Sequence, residues 1–245
     1  MQKKITTLVN ENIGKALTED FILDAFDIMR SEESDLSDQL KMIHVNRCVK
    51  GSYGRYYLNR GLIVINIDEI LSDESYNDKT LLALFVLRHE IEHARTVNKF
   101  CSGEDNFENA LMLSCLRKGT DEIGEYIGAI GNNNLYLVNP LERVADIRAY
   151  MYLVQLYKRI GDIESENFVL DELSGYYLNQ YKVYEQDIKC PTYRYLLGMQ
   201  MYKNYSDLWS YLKKCELTFD ERILYGLPIT MNEYNSVKDS QRVRV

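Results

Sequence analysis

The sequence has few of the residues that build a cross-linked or modular protein. Only five of its 245 residues are cysteines, and only three are prolines. No two cysteines form a CxxC pair, so the pattern excludes a dense disulfide framework and a cysteine-based zinc site. The prolines and the 13 scattered glycines form no low-complexity linker. We therefore expect reduced thiols in the core of a single domain that spans residues 1–245.

Positive charge and long apolar runs are also scarce. Lysine and arginine number 29 against 37 acidic residues, which gives a net charge of −8. This balance argues against binding to the phosphate backbone of a nucleic acid. No stretch reaches the roughly 18 apolar residues of a membrane span, and the amino-terminal segment has no apolar signal core. We therefore expect a cytoplasmic protein with neither a nucleic-acid partner nor a membrane partner.

The residues that are present predict a folded α+β protein that is mostly helical. Hydrophobic residues make up 46% of the chain and charged residues 27%, as in globular proteins. Apolar residues at helical spacing follow Thr18, which suits an N-cap, whereas β-rich runs between Lys41 and Ile67 predict a small antiparallel sheet. Pro140, with Asn139 as its cap, suits the first turn of a long helix.

The rest of the chain is predicted to be helical. Residues 77–100 contain no glycine or proline, and their apolar first half and polar second half indicate a helix that enters the core. Two further helices are predicted around residues 104–117 and 121–130. The motif-bearing core is expected over about residues 41–160, and a Tyr-rich helical extension over about residues 161–245.

The motif HEIEH contains two of the three histidines of the chain, His89 and His93, with Glu90 directly after the first. Residues at i and i+4 of a helix lie nearly above one another, so both imidazoles can converge on one metal ion. Glu90, about 100° around the helix axis, can take a proton from water beside that ion. The alternative is a chance match on a charged helix. The apolar run before the motif favours burial of the motif. Burial of an unpaired His-Glu-His cluster costs free energy, and binding of a metal ion would offset that cost.

A catalytic zinc ion usually takes three protein ligands and leaves a fourth position for water. The remaining histidine, His44, lies in a β-rich run, where we favour a half-buried structural role over ligation. In the segment ERVAD, Glu142 and Asp146 share a helix face with Ala145 and Ala149. Because small residues allow close packing against the HEIEH helix, we expect Glu142 to reach the metal and Asp146 to follow one turn beyond.

HEIEH followed by ERVAD resembles the gluzincin metallopeptidases, and the strand, the buried helix and ExxADxxA are most similar to the minimal ImmA/IrrE-like zinc peptidases. The resemblance covers about Leu62 to Tyr150. It implies a zincin-like core that holds Zn²⁺. The chain departs from the family pattern in its long stretch before ERVAD, and in Glu92, where the family usually has glycine.

The resemblance also implies a role for each matching residue. His89, His93 and Glu142 would be the zinc ligands, and Glu90 would be the catalytic base. Asp146 would form a hydrogen bond with His89, which is also expected on physical grounds because such carboxylates fix the tautomer of a ligating histidine.

Other residues near the motifs have weaker signals. Tyr150, one turn after ERVAD, is a candidate donor to the substrate oxygen that becomes negative, with His44 and Arg148 as alternatives. Arg88 and Arg95 are expected to be solvated or paired with acidic neighbours. The run GLIVINI is either an edge strand that pairs with an extended substrate or a buried core strand.

Two classes of function follow from these features. The first is a zinc metallopeptidase that hydrolyses peptide bonds of a cytosolic protein or peptide. The second is a binding or regulatory protein that kept the zincin fold without hydrolysis, but the presence of Glu90 favours the enzyme. A third possibility is an enzyme gated by its C-terminal helices or by a regulatory partner.

Overall fold

The computed structural model describes residues 4–36, 38–47, 52–58, 60–101, 107–111, 139–185, 204–233 and 235–236. In these ranges the chain is mostly helical and has a small sheet. The helices are α1 (Ile5–Asn12), α2 (Glu19–Glu32), α3 (Ile67–Ser72), α4 (Lys79–Cys101), α5 (Pro140–Ile160), α6 (Ile163–Glu185), α7 (Tyr205–Leu212) and α8 (Phe219–Leu224). The strands are β1 (Met42–Asn46), β2 (Gly54–Tyr57) and β3 (Leu62–Asn66). None of the described helices combines the length and the apolar character needed to cross a membrane.

Residues 107–111 are also helical, within the first of the two helices expected after α4. The second of those predictions, around residues 121–130, lies outside the described residues.

The sheet is mixed, so the prediction of an antiparallel sheet is wrong for one of its two pairings. The strand order is β1-β3-β2, with β1 parallel to β3 and β2 antiparallel to β3. Strand β3 is the most apolar, and its Ile63 and Ile65 are fully buried. Because β3 lies in the centre, it pairs with a strand on each side. The chain reverses direction between β1 and β2 and again between β2 and β3, so β1 and β3 run in the same direction. The run GLIVINI is therefore a core strand and not an edge strand.

Local signals set the start of α2 as predicted. The Thr18 hydroxyl accepts a hydrogen bond from the backbone N–H of Phe21 at 3.2 Å, which satisfies one of the free donors of the first turn. The apolar residues at helical spacing are all buried: Phe21, Ile22, Ala25, Phe26 and Met29.

Helix α4 enters the core, as its composition predicts. The Asp78 carboxylate begins it by accepting from the backbone N–H groups of Thr80 and Leu81, at 2.8 and 3.1 Å. Its apolar first half is buried throughout Leu81–Leu84. The polar second half is largely buried as well, and this half carries the HEIEH motif.

Helix α5 begins at Pro140, as expected. The side-chain oxygen of Asn139 accepts from the backbone N–H of Leu141 at 3.0 Å, while proline at the first position costs no helical hydrogen bond. Ala145 and Ala149 are buried at 1% and 0% exposure. The small residues that the sequence places on this helix face therefore lie in the interior.

Packing divides the chain into two compact units. The first comprises Met1–Glu104 and Arg148–Leu173, and so holds the sheet, α1 to α4 and the later part of α5. Within it, the ring of Tyr150 on α5 lies 4.4 Å from that of Phe85 on α4. The guanidinium of Arg88 lies 4.5 Å above the ring of Tyr152. These contacts join the middle of α5 to the first half of α4.

The second unit comprises Asp105–Ile147 and Ser174–Val245. In it, the Arg143 guanidinium of α5 donates to the carbonyl oxygen of Ile223 at 3.0 Å. Helix α8 begins with a capping box between Thr218 and Glu221, a reciprocal arrangement that satisfies two free donors. The expectation of one domain over residues 1–245 stays a prediction.

Candidate metal centre

His89 and His93 face each other from consecutive turns of α4. Their Nε2 atoms are 2.9 Å apart, and their rings are nearly perpendicular, at 83°. His89 is buried, with 8% exposure, and His93 is half-buried. At this distance one Nε2–H can donate to the other nitrogen, or both nitrogens can offer lone pairs to a shared ion. The second state requires both imidazoles to carry their proton on Nδ1.

Glu142 of α5 completes a group of three. The possible ligand atoms of His89, His93 and Glu142 all lie within 4.8 Å of one another. Glu142 is buried, with 5% exposure. The buried His-His-Glu group is therefore close enough to bind a metal ion.

The chemistry of this group fits zinc. Two imidazole nitrogens and a carboxylate oxygen are ordinary zinc ligands, and three protein ligands leave a fourth position open. Two atoms that each lie about 2.0–2.1 Å from one zinc ion must be separated by less than about 4.2 Å. The 2.9 Å between the histidine nitrogens meets this condition.

His44 does not belong to this group. It lies on β1, where it pairs in register with Val64 of the central strand. Its side chain is exposed, so the prediction of a half-buried position is wrong. An outer strand of a small sheet has solvent on one face, and alternation places His44 on that face.

Glu90 is buried between its helix and the sheet. It is 6% exposed, and its Oε1 atom lies 3.0 Å from the position that a Cβ atom would take on Gly54 of β2. Its carboxylate thus contacts an edge strand of the described sheet. The role of Glu90 as a catalytic base stays a prediction.

Asp146 and Tyr150 follow Glu142 on α5. Asp146 is half-buried and Tyr150 is 7% exposed. The pKa of Tyr76 is raised by burial, although its hydrogen bond with Tyr150 opposes the shift. The phenol of Tyr150 thus lies among aromatic groups of the first unit. The roles of Asp146 and Tyr150 stay predictions.

Two residues near the motifs were missed by sequence reasoning. The ring of Phe85, one turn before His89, lies 6.2 Å from that imidazole, but a phenylalanine in an apolar run carries no separate signal. Gly54 is the first residue of β2. In the sequence it lies in a turn-rich region, so it indicates only a turn between strands. A glycine within a strand can also mark close approach of another group, and that signal identifies the contact with Glu90.

Arg88 and Arg95 form ion pairs with acidic neighbours, which confirms the expectation for both. Arg88 lies 2.9 Å from Glu33 and pairs also with Glu92. Arg95 pairs with Glu33 and lies 3.4 Å from Glu92. Burial lowers the pKa of Arg88, but the charges of Glu92 and Glu33 outweigh burial and raise it. Glu92 is thus part of a buried ion-pair network.

Arg148, an alternative oxyanion donor, lies beside this network. It lines a cleft of about 300 Å³ together with Arg88, Glu92 and Arg95. The arginine is therefore located on the ion-pair side of α4.

Comparison of the chain with protein-family models, with curated proteins and with solved structures found no match. The resemblance to gluzincins therefore stays a prediction from the two sequence motifs.

Proposed function

We propose that this chain is a zinc-dependent peptidase that hydrolyses peptide bonds of a protein or peptide in the cytoplasm. The observation that carries the proposal is the buried group of His89, His93 and Glu142. A binding surface alone does not require such a group, and Glu90, the residue after His89, would be the general base that hydrolysis needs.

The chain supplies the proton transfers of this reaction. Glu90 accepts a proton from the attacking water and delivers it to the nitrogen of the leaving amine. When bound, zinc supplies Lewis-acid chemistry, because it polarises a carbonyl oxygen and lowers the pKa of water. Asp146 holds the tautomer of His89, and Tyr150 is the favoured donor to the carbonyl oxygen.

The position of Glu90 supports an extended polypeptide as the substrate. Strand β2 is an edge strand of the described sheet, and its Gly54 lies against the Glu90 carboxylate. An extended polypeptide that pairs with an edge strand forms main-chain hydrogen bonds along it. A substrate paired with β2 would therefore pass close to the base.

Metal content is the first test. Purified protein that has been loaded with zinc and dialysed should contain about one zinc ion per chain. The measurement is elemental analysis together with a zinc titration. A protein that contains no metal and takes up none on titration would contradict the proposal.

Peptide hydrolysis is the second test. The zinc-loaded protein is incubated with a proteome-derived peptide library, and new amino termini are identified by mass spectrometry. Glu90→Gln should retain zinc and lose the new termini, because the amide cannot accept the proton. Glu74→Gln, at an exposed position, is the matched control and should cleave normally. Zinc binding without cleavage would favour the alternative, a non-catalytic zincin-fold binding or regulatory protein.

A further inference from the structure

Gly54 has no space for a side chain. A Cβ atom built on it would lie 2.7 Å from Cγ1 of Val86 and 3.0 Å from Oε1 of Glu90. It would also lie 3.2 Å from Cγ of Glu90. Non-bonded carbon atoms prefer separations of about 3.5–4.0 Å, so any larger residue must displace at least one of these two side chains.

Backbone conformation does not require glycine at this position. Among the described residues, the glycines with positive φ are Gly14, Gly61, Gly161 and Gly226, and Gly54 is not one of them. It pairs with Ile65 as an ordinary strand residue. Glycine weakens a strand, so its presence in β2 requires another reason. The lack of room for a side chain between β2 and the side chains of Val86 and Glu90 supplies that reason.

The two side chains against Gly54 have little freedom to move. Val86 and Glu90 are one turn apart on α4, so they lie on the same face of that helix. Their exposures are 4% and 6%. The backbone of β2 thus closes one side of the space that holds the Glu90 carboxylate.

We infer that Gly54 is a positioning residue for Glu90. Its missing side chain lets the strand backbone confine the carboxylate, and the first carbon of any other residue would crowd both the carboxylate and Val86. The catalytic consequence rests on the proposed function, whereas the contact itself does not.

The contact is tested by thermal unfolding of four proteins: wild type, Gly54→Ala, Glu90→Ala and the double variant. Gly54→Ala should lower Tm by roughly 2–12 °C, the range expected for overpacking in a chain of this size. The loss should be clearly smaller when Glu90→Ala has already removed Cγ and Oε1. Equal losses in both backgrounds would overturn the inference.

The positioning role is tested with the zinc-loaded protein and a peptide that the wild type cleaves. Gly54→Ala should retain about one zinc per chain and lower kcat several-fold with little change in KM. The carboxylate has to shift by a few tenths of an ångström, which is less than the roughly 1 Å misplacement that costs about 100-fold. Unchanged kcat would overturn the positioning role. Gly175→Ala is the control, because a Cβ atom on Gly175 meets nothing within 4 Å.

A second variant separates displacement of the base from general strain. Gly54→Ala combined with Val86→Ala removes the nearest contact and leaves the contact with Glu90. We expect kcat to stay low in this variant while the effect of Gly54→Ala on Tm becomes smaller. Recovery of kcat would overturn the inference, since it would assign the loss to Val86. If the wild type binds zinc but cleaves no peptide, the proposed function is wrong. The thermal unfolding of the four proteins still tests the contact between Gly54 and Glu90 in that case.

Discussion

Helix α4 carries two buried polar faces that differ in how their charges are balanced. On the ion-pair face, Arg88 and Arg95 meet Glu33 and Glu92, so that opposite charges lie together. On the other face, which we call the metal face, the possible ligand atoms of His89, His93 and Glu142 lie close together. The first set of groups pairs opposite charges within the chain, whereas the second set brings together atoms that could bind a metal ion. The type of groups, and not their burial, therefore distinguishes an ion-pair cluster from a candidate metal site.

Helical spacing explains how one helix carries both faces. Arg88, Glu92 and Arg95 follow the spacing i, i+4, i+7, and the histidines follow i, i+4 one residue later. Neighbouring residues are about 100° apart around a helix, so the two stripes point to different surroundings. Four predictions use this comparison.

Loss of a ligand on the metal face should have the largest effect. His93→Ala should weaken zinc binding by more than about 100-fold, since even removal of a hydrogen-bond partner of a ligand costs about 10–100-fold. Zinc titration with a competing chelator measures the change. His44→Ala is the control, because His44 is exposed and lies on β1. Equal losses in both variants would exclude His93 as a ligand.

On the ion-pair face, Glu33→Gln should destabilise the fold and leave zinc binding unchanged. Glu33 pairs with both Arg88 and Arg95, and its side chain is only 13% exposed. Breaking a buried pair leaves an uncompensated charge, so we expect a loss of about 3 kcal/mol in the free energy of unfolding. Urea denaturation measures it, and Glu74→Gln should change it by under about 0.5 kcal/mol. A loss of zinc in Glu33→Gln would show that the two faces are not independent.

Asp146→Asn should affect the metal face with a smaller magnitude. The amide keeps the shape of the side chain but loses the charge that would hold the tautomer of His89. Zinc affinity should fall by about 10–100-fold while the protein stays folded. Asp171→Asn, at an exposed position of α6, should leave zinc affinity unchanged. An affinity in Asp146→Asn that equals that of the wild type would remove Asp146 from the site.

The smallest effect is expected for Glu32, beside the ion-pair face. Burial and the charge of Glu33 raise the pKa of Glu32 above its ordinary value of 4.5, although Arg88 and Arg159 oppose the shift. A raised pKa disfavours the charged form in the fold, so stability present below pH 4.5 is lost as the pH rises through the folded pKa. Glu32→Gln should therefore raise Tm slightly at neutral pH, with little gain in acid. A gain that does not vary with pH would contradict this assignment.

The fold was predictable where its causes are local. The cap of α2 at Thr18, the start of α5 at Pro140 and the burial of α4 all follow from hydrogen bonds and periodicity within a few residues. The direction of β1 was not predictable in this way. Which strand takes the centre depends on packing of the whole sheet, and only then does β1 pair with β3.

The candidate site also has a part that the sequence predicts and a part that depends on packing. The sequence by itself determined that His89 and His93 share a helix face, because i and i+4 spacing fixes this. It also supplied Glu142 as a candidate, through a motif on a distant helix. Only the tertiary structure decided that Glu142 joins the histidines, that Glu33 balances the arginines, and that Gly54 lies against Glu90. Each of these contacts joins residues far apart in the chain, so their positions depend on how helices and strands pack, which no local pattern encodes.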